Sequence, residues 1–291
     1  MLKSRILTTR NNRHASRTPY DLSMLQHAGV VALLLLTTTI AACTSDTPAH
    51  RYTAEIFDEV TVEPSIVYRS DPDLRLDLYR PTDDDDPRRP GLVWVHGGGF
   101  AGGDRTSAVI PFARAFAKSG YVVASIDYRL TATSPCVGAS HLSDECRRAV
   151  DAAVEDAQAA VRWLKRNASA YGVDGDRIAI AGESAGGITA AGVGTRADDA
   201  ASAVRAWVSI SGGIDGGAFV DAHDAPGLLF AGTADPYIPY QWSVDALTAL
   251  RQTGVRATLV TLDGAGHVPA EYADRFVRES RDFLYDALDL R

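Results

Sequence analysis

The chain has 291 residues, of which 46% are hydrophobic and 23% charged, and its formal net charge at pH 7 is −8. This length and composition are sufficient for one domain with a substantial core, and they argue against long disordered stretches. An acidic protein without a lysine or arginine cluster repels phosphate backbones, which argues against nucleic-acid binding.

The first part of the chain is predicted to be an export signal. A basic stretch leads into the uncharged segment Ala28–Ile40, which is too short for a transmembrane helix and typical of a signal-peptide core. Small residues then precede Cys43, as at bacterial lipoprotein cleavage sites. We therefore expect residues 1–42 to be a signal peptide and Cys43 to carry a lipid that attaches the exported protein to a membrane. A plain signal peptide of a secreted protein is the alternative, and Met24 is an alternative start.

The rest of the chain is expected to be a short tether, residues 43–50, followed by a single domain, residues 51–291. Within this domain Cys136 and Cys146 stand ten positions apart. Once Cys43 is set aside, two cysteines remain, and two cysteines in an oxidising compartment predict a disulfide that closes a loop. Two unconnected thiols are the alternative, because spacing alone does not bring the Cα atoms within reach.

Apolar segments rich in β-branched and aromatic residues alternate with segments of helical length. The clearest helix is Arg148–Asn167, where apolar residues recur at intervals of three and four. This alternation predicts an α/β fold with a mostly parallel eight-stranded sheet and helices on both faces, and the first two strands, with no helix between them, can pair antiparallel. The predicted strands are Glu55–Val60, Leu74–Tyr79, Leu92–His96, Tyr121–Ile126, Arg177–Ala181, Ala206–Ile210, Gly227–Ala231 and Ala257–Leu262.

A serine between glycines, in the segment Gly182-Glu183-Ser184-Ala185-Gly186, directly follows the predicted strand Arg177–Ala181. A serine on a tight strand-to-helix turn exposes its hydroxyl group, and the glycines are needed because a Cβ would collide with neighbouring backbone. The pattern indicates Ser184 as a nucleophile. An ordinary turn serine is the alternative.

A second glycine-rich segment, His96-Gly97-Gly98-Gly99-Phe100, follows the third predicted strand. Acyl transfer builds negative charge on the former carbonyl oxygen, and converging backbone amides can receive that charge. We expect the amides of Gly98, Gly99 and Ala185 to form this oxyanion hole, and His96 to orient the loop rather than to react. A glycine-rich turn without function is the alternative.

Asp235 and His267 each follow a predicted strand. The order serine, acid, histidine, with each residue beyond the carboxyl end of a strand, is the one that a Ser-His-Asp mechanism requires on a parallel sheet. We therefore predict His267 as the base and Asp235 as the residue that orients it. The competing residues are Asp215, Asp221, Asp224 and Asp263 for the acid, and His223 for the base.

From about Leu74 to Tyr285 the chain resembles the α/β-hydrolase carboxylesterases, near the hormone-sensitive-lipase-like and the feruloyl- and acetyl-esterase-like groups. Besides the motifs above, the resemblance rests on Leu76–Pro81, Asp127–Leu130 and Asp156–Leu164. It implies an α/β-hydrolase fold and the hydrolysis of small-molecule carboxylic esters without a metal or an organic cofactor. Amide hydrolysis by the same residues, and a non-catalytic binding protein on this scaffold, are the alternatives.

The substrate pocket is expected to be open. Only Ser211–Pro226 separates two predicted strands, which is too short for a large lid and argues against long-chain triglycerides. We expect short acyl chains, on a carbohydrate or an aromatic alcohol. Tyr237, Tyr240 and Trp242 follow the predicted acid and are expected to form the pocket wall, with core packing as an equally consistent alternative.

Overall fold

The structure is a computed structural model that describes residues 51–136, 143–196, 199–214 and 220–291. The predicted signal peptide, Cys43 and the tether lie outside these residues. Contacts divide the chain into two units, residues 1–45 and 46–291, and the described elements belong to the second. None of the helices in these ranges is both long and apolar enough to cross a membrane.

The described residues form eight strands and six helices. The strands are β1 Val60–Ser70, β2 Asp73–Pro81, β3 Arg89–Val95, β4 Val122–Ile126, β5 Val173–Glu183, β6 Ala206–Ile210, β7 Gly227–Gly232 and β8 Ala257–Leu262. The helices are α1 Phe112–Lys118, α2 Asp144–Arg166, α3 Ala168–Tyr171, α4 Ala185–Thr195, α5 Tyr240–Gln252 and α6 Ala273–Ala287.

The strands form one sheet in the order β1-β2-β4-β3-β5-β6-β7-β8. The pairs β1–β2 and β2–β4 are antiparallel, and all other pairs are parallel. Alternate residues of β3 enter opposite hydrophobic layers: Val93 and Val95 pack with α2, α4 and α5, whereas Leu92 and Trp94 pack with α1 and α6. The predicted fold class, including the antiparallel start, is confirmed.

The prediction for the first strand is wrong. The apolar pattern predicts it at Glu55–Val60, whereas β1 begins at Val60 and continues to Ser70. Pro64 interrupts the apolar pattern within β1, and the register with β2 shifts between Glu63 and Ile66. Because β1 lies at the edge of the sheet, it can contain a proline that a central strand would exclude.

The helix predicted over Arg148–Asn167 begins one turn earlier, because Ser143 caps it: the Ser143 hydroxyl accepts a hydrogen bond of 3.2 Å from the Cys146 amide. This first turn lacks the apolar spacing on which the prediction depended. The predicted disulfide is present here and joins Cys146 to Cys136, with 5.0 Å between their Cα atoms. It ties the start of α2 to the segment that follows β4.

Candidate active site

Ser184 occupies the tight turn between β5 and α4. Its backbone angles, φ 54° and ψ −120°, are strained for any residue with a side chain. The two flanking glycines allow the turn, because a Cβ on Gly182 would stand 2.4 Å from the carbonyl oxygen of Gly186, and one on Gly186 would stand 2.1 Å from that of Val95. The Ser184 amide donates to the Ile210 carbonyl over 2.8 Å, which fixes the turn to β6.

The side chains of Ser184, His267 and Asp235 form a continuous chain of hydrogen bonds. Nε2 of His267 lies 2.8 Å from Oγ of Ser184, and Nδ1 lies 2.7 Å from Oδ2 of Asp235. Because a carboxylate only accepts hydrogen bonds, the Asp235 contact places the imidazole proton on Nδ1 and leaves Nε2 as an acceptor for the serine proton. The other oxygen of Asp235 accepts from the amides of Tyr237 and Ile238 at 2.8 and 3.0 Å.

The loops that carry Asp235 and His267 follow β7 and β8 and pack directly on each other. The Ala234 amide donates to the Ala265 carbonyl over 3.0 Å, and a Cβ on Gly232 would stand 2.3 Å from that same oxygen. Parallel strands end at one edge of the sheet, and these loop contacts bring the acid and the histidine together at that edge.

The competing acids and the competing histidine have other contacts. Asp263 accepts from the Thr233 hydroxyl over 3.2 Å, and the Asp224 carboxylate accepts from the Asp221 amide over 2.7 Å. Partial burial raises the pKa of Asp224 to about 6. His223 is exposed, and its amide donates to Asp221. Asp215 lies outside the described residues.

The glycine-rich loop after β3 borders the same cavity as Ser184. Gly98 and Gly99 have positive φ angles, 115° and 62°, which side-chain-bearing residues rarely adopt. A Cβ on Gly98 would stand 2.1 Å from the Gly102 carbonyl oxygen. Gly97 and Ala185 line the cavity as well. The structure thus brings Gly98, Gly99 and Ala185, the three predicted oxyanion-hole residues, to the cavity that Ser184 faces.

Tyr128, in the segment Asp127–Leu130, packs against this glycine-rich loop. Tyr128 stacks on the His96 ring, with 4.3 Å between centroids, and its hydroxyl donates to the His96 carbonyl over 3.1 Å. Nδ1 of His96 donates to the Gly97 carbonyl over 2.6 Å. Burial lowers the pKa of His96 and favours its neutral form. These contacts agree with a structural role for His96.

A cavity of about 730 Å³ contains Ser184 and His267. Tyr237 lines it and is 48% exposed. The described lining does not include Tyr240 and Trp242, the other two predicted wall residues. The Tyr240 hydroxyl forms a hydrogen bond with the Thr261 hydroxyl of β8 over 2.7 Å, and Trp242 is 2% exposed in the core. Besides the residues already named, the lining contains Phe100, Gly103, Ser107, Ala108, Val109, Ser134, Cys136, Glu183, Ile188, Ile238 and Val268.

Glu183, next to the nucleophile, is a cavity residue that the sequence analysis missed. Only 4% of it is exposed, and burial raises the pKa of its carboxyl group. An acidic residue directly after the uncharged run Ile178–Gly182 of β5 is the signal that could have found it. As to metals, no group of three or more histidine, cysteine or acidic residues in the described part of the chain could hold an ion.

Comparisons with known proteins agree with this architecture. Residues 76–209 match the family described as BD-FAE, and residues 216–286 match the family described as TAP-like protein. Esterase LipI of Mycobacterium tuberculosis is 36% identical over 121 residues, which are 42% of this chain and 33% of LipI. The probable isoprenylcysteine alpha-carbonyl methylesterase ICMEL1 of Oryza sativa subsp. japonica is 27% identical over 275 residues, which cover 77% of this chain and 61% of ICMEL1.

The match to these two curated relatives thus spans less than two thirds of their length. Among solved structures, Thermogutta terrifontis esterase 2 phosphorylated by paraoxon superposes with a TM-score of 0.62 at 24% identity, over 82% of this chain and 96% of that one. By its sheet order, its strand-to-helix serine turn and these comparisons, the chain has the α/β-hydrolase fold and is similar to carboxylesterases.

Proposed function

We propose that the protein hydrolyses carboxylic esters of small molecules through an acyl-enzyme on Ser184. The observation that carries this proposal is the unbroken chain of hydrogen bonds from Asp235 through His267 to the serine hydroxyl. The esterase and methylesterase names of the two relatives, LipI and ICMEL1, support the same reaction class.

In the proposed first half-reaction, Oγ of Ser184 attacks the ester carbonyl while Nε2 of His267 takes the serine proton. Asp235 stabilises the imidazolium that forms. The carbonyl oxygen becomes negatively charged and is received by the amides of Gly98, Gly99 and Ala185. His267 then gives its proton to the departing alcohol, and water repeats the sequence on the acyl-enzyme with His267 again as the base.

We further propose short acyl chains as the preferred substrates. The support is the short segment between β6 and β7, which has no room for a large lid. Hydrolysis rates on acetyl, butyryl and palmitoyl esters of one alcohol test this. The highest kcat/KM is expected on the acetyl or the butyryl ester, and a highest value on the palmitoyl ester overturns the preference.

The test of the reaction itself combines covalent labelling with kinetics. A fluorophosphonate should label the wild-type protein and fail to label Ser184→Ala. Ser184→Ala and His267→Ala should each lower kcat by about 10⁴- to 10⁶-fold. The matched control is Ser169→Ala, the same substitution at an exposed serine of α3, which should behave as wild type.

Three results would contradict the reaction. Wild-type turnover in His267→Ala excludes that residue as the base. Absence of labelling in the wild type favours a non-catalytic binding protein. A larger kcat/KM on the amide matched to each ester favours an amidase.

We also propose that the protein is exported and lipidated at Cys43, on the strength of the signal-like segment 1–42. The disulfide between Cys136 and Cys146 supports an oxidising compartment. Mass spectrometry of the mature protein should find a lipid on an N-terminal Cys43, and Cys43→Ser should abolish it. A mature chain that starts after residue 42 without a lipid would support export and contradict lipid anchoring. An uncleaved chain would contradict both proposals.

A further inference from the structure

The carboxyl group of Glu183 borders the cavity and is poorly paired. Only 4% of the surface of Glu183 is exposed. Oε1 accepts a single long hydrogen bond, 3.4 Å, from the Val109 amide, and Oε2 is buried without a hydrogen-bond partner among the described residues. Buried polar groups in folded proteins are almost always paired, so an unpaired carboxyl oxygen in a residue that lines a binding cavity is a candidate partner for a ligand group.

The contacts of Glu183 indicate that its carboxyl group lies on the cavity side of the turn that carries Ser184. A Cβ on Gly97 would stand 3.3 Å from Cβ of Ser184 and 3.5 Å from Cγ of Glu183, so the glycine-rich loop covers the stem of the side chain. Its one donor, Val109, lies on the cavity rim and is 58% exposed. The carboxyl group therefore lies between the nucleophile and an exposed segment of the cavity wall.

Burial of Glu183 favours its uncharged form, whereas the Val109 amide and His267 favour its charged form. Among the described lining residues there is no lysine or arginine, and His267 is the only group there that can become a cation. Burial is the largest influence on the pKa of Glu183 and raises it. Tyr128 is itself buried, and burial raises the pKa of its hydroxyl group. A carboxyl group can accept a hydrogen bond from an alcohol hydroxyl in either protonation state, and it can also donate one when it is protonated.

We propose that Glu183 is a substrate-binding residue that forms a hydrogen bond with a hydroxyl group of the substrate. It would make the protein prefer hydroxylated esters over esters with a methyl group at the same position. A site that contains a buried polar group discriminates against a ligand that leaves the group unpaired. This proposal rests on the ester hydrolysis proposed above and adds the feature that selects among esters.

The kinetic test uses two pairs of esters in which a hydroxyl replaces a methyl group. On the alcohol side, 2-hydroxyethyl butanoate is compared with propyl butanoate; on the acyl side, ethyl 3-hydroxybutanoate is compared with ethyl 3-methylbutanoate. The wild type should prefer the hydroxylated member of one pair by about 5- to 10-fold in kcat/KM. Glu183→Gln should keep most of this preference, because an amide still donates and accepts, and Glu183→Leu should lose it.

The ratio within a pair cancels any general loss of activity in the variants. If the wild type shows no preference in either pair, or if Glu183→Leu keeps the preference, the proposal is overturned while ester hydrolysis stands. If Glu183→Gln loses the preference as completely as Glu183→Leu, the charge of Glu183 matters rather than its hydrogen bonds, and the hydroxyl assignment is wrong.

A binding measurement separates this proposal from the reaction. Calorimetry on Ser184→Ala, which cannot turn over, compares two pairs of amides. These are N-(2-hydroxyethyl)butanamide with N-propylbutanamide, and N-ethyl-3-hydroxybutanamide with N-ethyl-3-methylbutanamide. Tighter binding of the hydroxylated member of one pair by about 5-fold, lost in Ser184→Ala with Glu183→Leu, supports the proposal. If the wild type hydrolyses no ester, the proposed reaction fails, and this measurement alone decides the role of Glu183. Equal affinities in both pairs, with equal kinetics wherever the esters are hydrolysed, overturn it.

Discussion

Gly186 lies so close to Val95 that a Cβ on the glycine would stand 2.1 Å from the valine carbonyl oxygen. This contact joins the end of β3 to the first turn of α4. The chain continues from Val95 into the glycine-rich loop, and α4 follows directly on Ser184. The contact therefore sets the distance between the nucleophile and the amides proposed to stabilise the oxyanion.

Replacing Gly186 by alanine should damage both stability and turnover. The new methyl group has to displace backbone rather than a flexible side chain, which costs about 1–3 kcal/mol of unfolding free energy. The displacement should lower kcat by about 100-fold, because it moves the loop relative to Ser184. Urea unfolding and ester kinetics measure the two effects. Gly175→Ala is the control, because its nearest neighbour, Ala168, lies 3.8 Å from the new Cβ, and an equal effect there would contradict the argument.

Replacing Asp235 by asparagine should leave the fold intact and lower kcat by about 10³- to 10⁴-fold. An asparagine oxygen can still accept from the Tyr237 and Ile238 amides, but its NH₂ group would face Nδ1 of His267 and favour the wrong tautomer. The melting temperature and kcat test the two halves of this expectation. Asp263→Asn, in the neighbouring loop and exposed, is the matched control. A larger loss of kcat in Asp263→Asn would transfer the role to that residue.

Glu183→Gln should stabilise the protein in a pH-dependent way. Burial raises the pKa of Glu183 in the folded state above its usual value of 4.5. Folded protein therefore binds more protons than unfolded protein just above this pH, and the carboxyl group destabilises the fold increasingly as the pH rises through the window. The variant lacks this titration. Its advantage in unfolding free energy should thus grow from pH 4.5 upward and level off above the folded-state pKa.

Urea unfolding of both proteins between pH 4.5 and 8 measures this difference. The exposed Glu59 provides the control variant Glu59→Gln, which makes the same chemical change away from the cavity. A difference that is flat with pH for Glu183→Gln, or one that shrinks as the pH rises, would contradict burial as the dominant influence on that carboxyl group.

Removing the disulfide should lower the free energy of unfolding by about 2–3 kcal/mol, because the bond between Cys136 and Cys146 closes a loop of about ten residues. Cys136→Ala, Cys146→Ala and the double variant should be equally destabilised, since each of them breaks the same bond. Urea unfolding measures the loss. A single variant as stable as wild type would show that the bond contributes nothing to the stability of the domain. Because Cys136 also lines the cavity, KM should rise in the double variant.

Much of the fold follows from local pattern. Short apolar runs predicted seven of the strands. The clearest of these, β3, β4 and β6, are buried on both faces and have no polar alternation to obscure them. Edge strand β1 was misplaced because Pro64 interrupts it, and only pairing with β2 shows that the strand continues past the proline. The start of α2 was missed because Ser143, a capping residue, replaces apolar periodicity there.

The sequence by itself determined which residues stand beyond the ends of strands: Ser184, Asp235 and His267. Neighbouring residues in the sequence are enough to identify such positions. Ser184 lies between glycines, and Asp235 and His267 come just after apolar runs, so no contact with a distant part of the chain is needed. Tertiary structure alone decided which side chains face the cavity. Tyr240 and Trp242 turn toward β8 and the core because α5 begins at Tyr240 and packs there, whereas Glu183 borders the cavity because the glycine-rich loop covers its stem and leaves its carboxyl group at the wall.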